Sequence, residues 1–594
     1  MSLLDQASLV LVPSAIKTGE VLVQKPLPTK FSDETGNYDG NDPQGSANLT
    51  FTRASNATRV GPNGLEKVRT NLALQSNDFS SASWSKLNNA TVSATRVADP
   101  FGGTTAWQVI YDGTTDGRLE QVVSGFSGTG TQSAWLRVAS GTQEVKMGAT
   151  SSSLTTSVVT TTWTRFSATT TSGYFPRILC NASTTIEVYG CQFEANDIAT
   201  DYIATTTSAR STFAGITVDG TSVLNVPRLD YSGGASCPSL LLEPSRQNLL
   251  TNDTYYGGSD WSKIGVSPSA NNATSPEGVT NAVLLSETAI NDQHSLYPTV
   301  SVTSGNAYTA SCFVKQGTGS AAPQYIGFRF RGGGFADAGG LVVDLVNKVA
   351  TYEAGSLTGY KIEDYGNGWL RVSITQSATV TSSSAGLVLF FNNNISGSYS
   401  TDYLGNVNAD MLVYGAQIEQ ASYSSSLIPT YGTSATRTQD LSVTASPSTS
   451  QFGQTEGTIF TEIEINAITS GSYSRVLNLK NSGGSNQIYI QQNDSKIAGA
   501  VFNGSNQFVA STSSGFLSVG SVYKIALAYK NSDYALYING TQISTGLASG
   551  LGTLSVDRLD FTTGAGSIGL GNEVKQSLVF NTRLTNADLA TLTA

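Results

Sequence analysis

The chain has 594 residues, a length that accommodates roughly three to four domains of typical size. Only 13% of the residues are charged, whereas 39% are hydrophobic and 22 Phe, 25 Tyr and 6 Trp are present, so the composition excludes a disordered chain. The formal charge of −10 and the lack of a basic stripe argue against a nucleic-acid partner. No apolar run reaches about eighteen residues, and no basic region precedes the first apolar residues. The sequence therefore predicts no membrane-spanning segment and no secretion signal.

Residues 1–68 form a region of their own. Two short strands are predicted at 9–15 and 20–23, and a polar stretch follows at 32–48. Such a segment buries little apolar surface by itself, so we expect it to attach to a partner.

The chain then repeats itself. Asn71-Leu72 is followed by Trp84, and Asn248-Leu249 is followed at the same spacing by Trp261. The closing phrase of the first copy, Tyr-Gly-Cys-Gln-Phe-Glu at 189–194, returns as Tyr-Gly-Ala-Gln-Ile-Glu at 414–419, and each copy ends on an arginine, Arg210 or Arg437. A long internal repeat predicts modules in series.

Short strands separated by polar turns predict a jelly-roll sandwich for each copy, at 69–210 and 245–437, with a connector at 211–244. Alternating residues from Thr458 to Ile465 open a third, different sandwich at 438–594. Within it, Asn539-Gly540 predicts a type I′ turn and 585–592 predict the clearest helix. The predicted fold class is all-β: tandem β-sandwich or jelly-roll domains behind an extended N-terminal attachment segment.

Catalytic chemistry finds little support. The one histidine, His294, is predicted to lie in a surface loop rather than to act as the base of a triad. No metal-binding motif occurs, so we expect no metal and no cofactor. The cysteines Cys180, Cys191, Cys237 and Cys312 lack CxxC spacing, and reduced buried thiols are expected, although Cys180 and Cys191 could pair across a hairpin.

Carboxylates leave one catalytic alternative open. Glycoside hydrolysis needs only two acidic groups facing a sugar and has no spacing to search for. The candidates are Glu194, Asp201, Glu353, Glu363, Asp364 and Glu419. The repeated Glu194 and Glu419 could bind sugar hydroxyls, or could satisfy backbone or arginine donors beside the strand that closes each module.

Sugar binding by aromatic faces is the favoured chemistry, because the C–H face of a sugar is apolar and its hydroxyls need polar partners nearby. The candidate glycan-binding residues are Trp84, Trp261, Tyr255, Tyr256, Tyr534 and Tyr537. For Trp84 and Trp261 a place in the core is nevertheless favoured over a sugar contact, and for Trp163 and Trp369 the core is favoured more strongly. Tyr534 and Tyr537 should point to opposite faces of their strand, which would leave one of them exposed.

The phrases at the module junctions carry a resemblance. Residues 51–60 (FTRASNATRV) with 64–72, and residues 226–231 (VPRLDY) with 241–249 (LLEPSRQNL), resemble phrases of tailed-bacteriophage fibre, spike and decoration proteins that carry carbohydrate-binding-module-like jelly rolls. Residues 523–540 and 577–589 resemble the laminin-G-like (concanavalin A-like) sandwich.

This resemblance implies a non-enzymatic structural component of a phage particle, part of a tail, collar or head fibre or spike. It would be assembled in the bacterial cytoplasm and located in the virion. Residues 1–68 would contact other virion proteins, the modules would bind host-surface glycans weakly and multivalently, and a homotrimer or homodimer is expected. A tailspike depolymerase, and a purely structural virion protein without glycan binding, are the alternatives.

Overall fold

The computed structural model describes residues 3–11, 16–17, 20–21, 49–124, 126, 129–148, 154–170, 175–196, 198–214, 216–331, 333–393, 402–444, 449, 452–468, 473–561 and 571–594. In these residues the protein is almost entirely β, and its strands form three β-sandwiches, which confirms the predicted fold class. The predicted polar stretch at 32–48 lies outside the described residues, as do parts of the two predicted N-terminal strands. No helix in the described residues is long and apolar enough to cross a membrane.

The N-terminal segment contributes short elements. They are α1 (Leu3–Gln6), β1 (Leu9–Leu11), β2 (Ile16–Lys17), β3 (Glu20–Val21), β4 (Leu49–Thr52), β5 (Arg59–Gly61), β6 (Gly64–Glu66) and β7 (Arg69–Asn71). Strands β5 and β6 pair with each other, and we call residues 58–67 the leader hairpin.

The first module is a sandwich of two five-stranded antiparallel sheets, in the orders β15-β12-β17-β10-β9 and β14-β13-β16-β11-β8. Sheet neighbours come from distant parts of the chain, which is the jelly-roll arrangement that the strand spacing predicted. Its strands are β8 (Ser85–Leu87), β9 (Thr91–Val97), β10 (Ala106–Asp112), β11 (Gly117–Glu120), β12 (Gly130–Arg137), β13 (Gln143–Gly148), β14 (Thr155–Val159), β15 (Thr164–Thr170), β16 (Arg177–Cys180) and β17 (Ser183–Glu194).

The connector carries β18 (Arg210–Phe213), β19 (Ile216–Asp219), β20 (Arg228–Asp230), a 3-10 turn at Ser232–Gly234, β21 (Ser239–Leu242) and β22 (Arg246–Asn248). Strand β18 pairs with β19 and with β7, and β22 pairs with β39 at the far end of the second module.

The second module repeats the jelly roll with six strands in each sheet, in the orders β24-β25-β38-β29-β34-β33 and β23-β27-β36-β30-β31-β32. Its strands are β23 (Trp261–Ile264), β24 (Val266–Thr274), β25 (Thr280–Glu287), β26 (Asn291–Asp292), β27 (Ser295–Pro298), β28 (Val300–Val302), β29 (Ala307–Gln316), β30 (Tyr325–Phe330), β31 (Gly340–Asp344), β32 (Val349–Ala354), β33 (Gly359–Asp364), β34 (Leu370–Ser377), β35 (Ser382–Ala385), β36 (Leu387–Phe391), β37 (Tyr403–Leu404), β38 (Asp410–Glu419) and β39 (Ala435–Arg437).

The two modules share a bulge at the same place. The register between β12 and β17 shifts between Ser133 and Trp135, and the register between β29 and β38 shifts between Ser311 and Phe313. The bulged strands carry Gly190 at φ 58° and Gly415 at φ 56°, a backbone conformation that a glycine adopts at no steric cost. The backbone geometry of the bulge therefore accounts for the repeated glycine.

The C-terminal sandwich consists of β40 (Leu441–Thr444), β41 (Glu456–Ile465), β42 (Tyr473–Lys480), β43 (Asn486–Asn493), β44 (Lys496–Asn503), β45 (Asn506–Ser511), β46 (Val522–Lys530), β47 (Asp533–Ile538), β48 (Thr541–Gly546), β49 (Arg558–Asp560), β50 (Asn572–Phe580) and α2 (Asn586–Thr593). The predicted I′ turn is confirmed, because Asn539 and Gly540 both have positive φ, 47° and 77°, between β47 and β48. The predicted helix is also confirmed, with Thr585 as its N-cap.

This sandwich also incorporates strands from earlier in the chain. Strand β1 pairs with the Ser577–Val579 part of β50, β21 pairs with the Asn572–Val574 part, and β4 pairs with β40. Leu9, Leu11 and Phe51 lie fully buried in its core. In the described residues, this part of the N-terminal segment therefore belongs to the C-terminal sandwich, and attachment of residues 1–68 to a partner stays a prediction.

A buried ionic cluster joins the N-terminal segment, the connector and the end of the second module. Arg53 Nη1 lies 3.2 Å from Asp440 Oδ1, and Arg228 donates to Asp440 and, at 2.7 Å, to Glu243 Oε2. Arg437 Nη2 lies 3.5 Å from the same Glu243 oxygen. Burial would raise the pKa of Glu243, but Arg437 and Arg228 hold it well below its usual range. The junction phrases of the sequence are therefore the parts that meet in this cluster.

Candidate functional site

The two repeated tryptophans lie in the cores of their modules. Trp84 is 1% exposed, donates from Nε1 to the carbonyl of Gln75 at 3.0 Å and contacts Phe79 edge-on. Trp261 is 2% exposed and donates to the carbonyl of Asn252 at 3.1 Å. Their aromatic faces are covered by protein, so the favoured core position is confirmed and the candidate sugar contact of both residues is wrong.

The predicted tyrosines are also mostly inside. Tyr256 is fully buried against Trp261, and Tyr255 beside it is half-buried. Tyr534 and Tyr537 point to opposite faces of β47, as predicted, but neither is exposed. Tyr534 stacks on Phe508 between the sheets, and Tyr537 lies in the cluster covered by the C-terminal helix. The sequence analysis predicted this helix but did not place it over the face of β47 that carries Tyr537.

The repeated polar residues close each module by matching hydrogen bonds. Asn71 Nδ2 donates to the carbonyl of Ile203 at 2.7 Å, and its Oδ1 accepts from Ala73 N and Phe193 N, both at 3.0 Å. Asn248 makes the same set with Ile428, Leu250 and Ile418.

The repeated glutamates belong to the same closure. Glu194 accepts from Thr200 N at 2.9 Å and Glu419 accepts from Ser425 N at 2.9 Å, and the hydroxyls of these partners donate as well. Burial raises the pKa of both carboxyls. They satisfy backbone and hydroxyl donors, the second of the two alternatives that the sequence left open.

The single histidine and the cysteines are structural. His294 is fully buried rather than in a surface loop, with Nε2 3.1 Å from the carbonyl of Thr288. All four cysteines are free, and only Cys237 is exposed. Burial raises the pKa of the Cys191 and Cys312 thiols to about 12, which suppresses the reactive thiolate. Among the described residues, no group of three or more His, Cys, Asp or Glu could hold a metal ion.

An open aromatic face lies on the outer side of the first module. Trp135 alternates along β12 with the core residues Ala134 and Leu136, so it points outward, and its partner across the sheet is Tyr189 on β17. Phe101, in the turn between β9 and β10, is 68% exposed and contacts the Trp135 and Tyr189 rings with centroids 5.3 and 5.7 Å away. Tyr202 lies 5.6 Å from Trp135. We call these four residues the aromatic face.

Charged groups surround the aromatic face. Arg165 lies over the Trp135 ring at 4.6 Å, donates to the carbonyl of Thr200 at 2.6 Å and to Ser133 Oγ at 2.9 Å. Arg137 pairs with Glu187 and lies 4.8 Å from the ring of Trp163, which is itself half-buried. An apolar platform with hydrogen-bonding groups at its rim is the arrangement that saccharide recognition requires.

The equivalent face of the second module is covered. Phe313 and Tyr414 pair across the sheet there, at the positions that Trp135 and Tyr189 have in the first module. Both are fully buried, in one cluster with Trp369, Leu427 and Leu65 of the leader hairpin. Lys67 Nζ lies 2.8 Å from Glu277 Oε1 and donates to Tyr414 Oη at 2.8 Å. Burial would lower the pKa of Lys67, but Glu277 raises it above its usual range. Trp369 is a core residue here, as predicted.

A cavity of about 210 Å³ lies where the second module, the connector, the leader hairpin and the C-terminal sandwich meet. Asp230, Lys361, Glu363 and Glu573 line it, with the half-exposed Tyr360. Burial, then the carboxylates of Asp230 and Glu464, raise the pKa of Glu573 to about 7. Among the carboxylates named as candidates for glycoside hydrolysis, Glu363 lines this cavity. Glu194 and Glu419 instead form the hydrogen bonds that close the two modules.

The residues of the aromatic face were missed by sequence reasoning. Trp135 lies in an apolar run that is typical of a strand buried on both faces. Tyr189 begins the repeated sequence at 189–194, whose repetition is explained by module closure and gives no sign of a ligand. The one available signal was the mismatch between the copies: Phe101 and Trp135 of the first module correspond to Glu277 and Phe313 of the second.

Comparison with known proteins gives matches among solved structures alone. No family model matches the chain, and no curated protein matches it. Among solved structures, the carbohydrate-binding module (CBM40) of Ruminococcus gnavus IT-sialidase is 16% identical over 24% of this chain and 84% of its own, with a TM-score of 0.21. Trypanosoma rangeli sialidase is 10% identical over 92% and 84%, with a TM-score of 0.22. Domains LG4-5 of the mouse laminin α1 chain are 11% identical over 56% and 90%, with a TM-score of 0.17. At such scores these likenesses carry no functional argument.

Proposed function

We propose that this chain is a non-enzymatic display protein of a tailed-phage particle, a fibre, spike or decoration component, that binds host-surface glycans through the first module. The observation that carries the glycan part is the aromatic face: four neighbouring aromatic rings, one of them 68% exposed, ringed by Arg165 and the Arg137–Glu187 pair. Exposed aromatic clusters of this kind mark binding surfaces.

The particle part of the proposal is supported by the junction phrases and by the tandem sandwiches. Attachment to other virion proteins through residues 1–68, a homotrimer or homodimer, and location in the virion remain proposals. Many copies on one particle would convert weak binding of each chain into avidity.

A printed glycan array with the purified full chain tests glycan binding. Trp135→Ala should lose the array signal by about tenfold or more, since aromatic platforms supply much of the contact area. Tyr473→Ala removes another exposed tyrosine, 51% exposed and in the C-terminal sandwich, and is the matched control that should keep the signal. No signal from the wild-type chain would contradict glycan binding and favour the purely structural alternative.

The cavity at Glu573 favours one second candidate, a glycoside hydrolase that would cleave host polysaccharide. Glu573 and Asp230 both line this cavity, and burial raises the pKa of both carboxyls, that of Glu573 to about 7. A pair of carboxyls in a cavity, one of them protonated near neutral pH, is the arrangement that glycoside hydrolysis uses. New reducing ends released from host polysaccharide by the wild-type chain, and lost in Glu573→Gln, would establish this activity. Absence of reducing ends with the wild-type chain would contradict it.

A further inference from the structure

The turns that carry Phe101 and Glu277 are equivalent. In the first, Asp99 N donates to the carbonyl of Gly103 at 2.9 Å and Gly102 has φ 89°. In the second, Ser275 N donates to the carbonyl of Val279 at 2.9 Å and Gly278 has φ 78°. Each turn joins the two strands at the same edge of the equivalent sheet. Phe101 and Glu277 therefore stand at one position of a repeated structure, and the two modules differ there in charge.

In the second module this position binds a part of the same chain. The leader hairpin places Leu65 among Phe313, Tyr414 and Leu427, and Leu65 N donates to the carbonyl of Pro276 at 2.9 Å. The Lys67–Glu277 pair is almost completely buried, with side chains 4% and 2% exposed. Loss of one partner from such a pair leaves an uncompensated buried charge.

The leader hairpin is also held at its start. Thr58 Oγ1 donates to the carbonyl of Leu427 at 2.6 Å, and Arg228 of the buried ionic cluster donates to the carbonyl of Thr58 at 3.2 Å. A weakly binding saccharide does not recover the cost of displacing a segment anchored at both ends.

In the first module the polar groups around the aromatic face are held by hydrogen bonds within that module. Arg165 donates to Thr200 and Ser133, and Arg137 pairs with Glu187. Asp99 accepts from Phe101 N, Gly103 N and Thr105 Oγ1 of its own turn. Asp201, the chain neighbour of Tyr202, keeps a fully exposed carboxylate 4.0 Å from Arg69 Nη1. The first module thus has the exposed Phe101 at the position where the second module carries the buried carboxylate of Glu277.

We infer that the leader hairpin is an internal ligand of the second module, so that of the two modules only the first presents an open saccharide face. This inference rests on the proposed function. It also changes the source of avidity: multivalent binding comes from several chains on one particle and not from two modules of one chain.

The experiment uses the full chain on an array that carries uncharged hexose oligosaccharides, glucosamine oligomers and hexuronate oligomers. We expect a stoichiometry of one per chain in calorimetry with the oligosaccharide that gives the strongest signal on the array. Phe101→Glu should weaken that binding about tenfold, because it replaces the exposed ring of the aromatic face with a carboxylate. Leu65→Asp should raise the stoichiometry toward two.

The outcomes separate the two proposals. A wild-type stoichiometry of two, or wild-type binding that Trp135→Ala leaves intact, overturns the inference and leaves glycan binding standing. No signal with any sugar overturns both proposals. Circular dichroism of each variant verifies the fold, and the wild-type stoichiometry decides the question even where Leu65→Asp fails to fold.

Discussion

Arg228 and Asp440 form an ion pair in which neither side chain has exposed surface, although 212 residues separate them in the chain. Their pair, with Arg53, Arg437 and Glu243, ties together three parts of the chain that the sequence presents as separate.

Removal of one charge from this pair should be strongly destabilising. We expect Asp440→Asn to cost about 3–5 kcal/mol, because Arg53 and Arg228 would remain buried with less compensation. Urea denaturation measures the loss, with each transition analysed separately because several domains are present. Lys348→Met is the matched control, since its pair with Asp364 is 44% and 47% exposed and should change stability by less than about 1 kcal/mol. Equal effects of the two variants would contradict the assignment.

The first strand of the chain should stabilise the last sandwich. Leu11 is fully buried in the C-terminal core, so Leu11→Ala should lower the free energy of unfolding of that sandwich by about 2–5 kcal/mol. Leu547→Ala, at a side chain 82% exposed, is the control and should leave it unchanged. The measurement is the denaturation midpoint of the C-terminal transition. If Leu11→Ala left that midpoint in place, the pairing of β1 with β50 would be refuted.

Stability should fall as the pH rises through the titration of Glu573. Its pKa is raised from 4.5 in the unfolded reference to about 7, so between these values the folded state binds more protons than the unfolded state. The free energy of unfolding therefore decreases from pH 4.5 to pH 7 by up to about 3 kcal/mol from this group.

Glu573→Gln should abolish that slope and be more stable than the wild type at pH 8. Denaturation in a pH series measures it. Glu462→Gln is the control on the neighbouring strand, where the carboxylate accepts from Gln576 Nε2 at 2.7 Å. A slope of unchanged size in Glu573→Gln would assign the effect to another group.

The two closing asparagines should behave alike. Asn71→Ala and Asn248→Ala each leave buried backbone groups without partners, and each should destabilise its own module by about 1–3 kcal/mol for each group left unsatisfied. Hydrogen exchange read module by module tests this, with each variant as the control for the other. A loss of protection in the wrong module would contradict the equivalence of the two copies.

The sequence by itself determined the all-β class, the duplication, the I′ turn at Asn539-Gly540 and the final helix, because these follow from alternation, repetition and local backbone preference. Periodicity cannot distinguish an aromatic side chain that points outward from one in the core when both lie in an apolar run. Trp135 and Tyr189 were therefore missed, and the candidate glycan contacts included the buried Trp84 and Trp261.

Only the tertiary structure decided which surfaces are open. Strands β1, β4 and β21 complete a sandwich hundreds of residues away, and the leader hairpin covers the second module while the first stays exposed. Burial depends on what packs against a face, and that partner here comes from a distant part of the chain. Local sequence therefore fixed the modules, and long-range packing fixed which of them can meet a ligand.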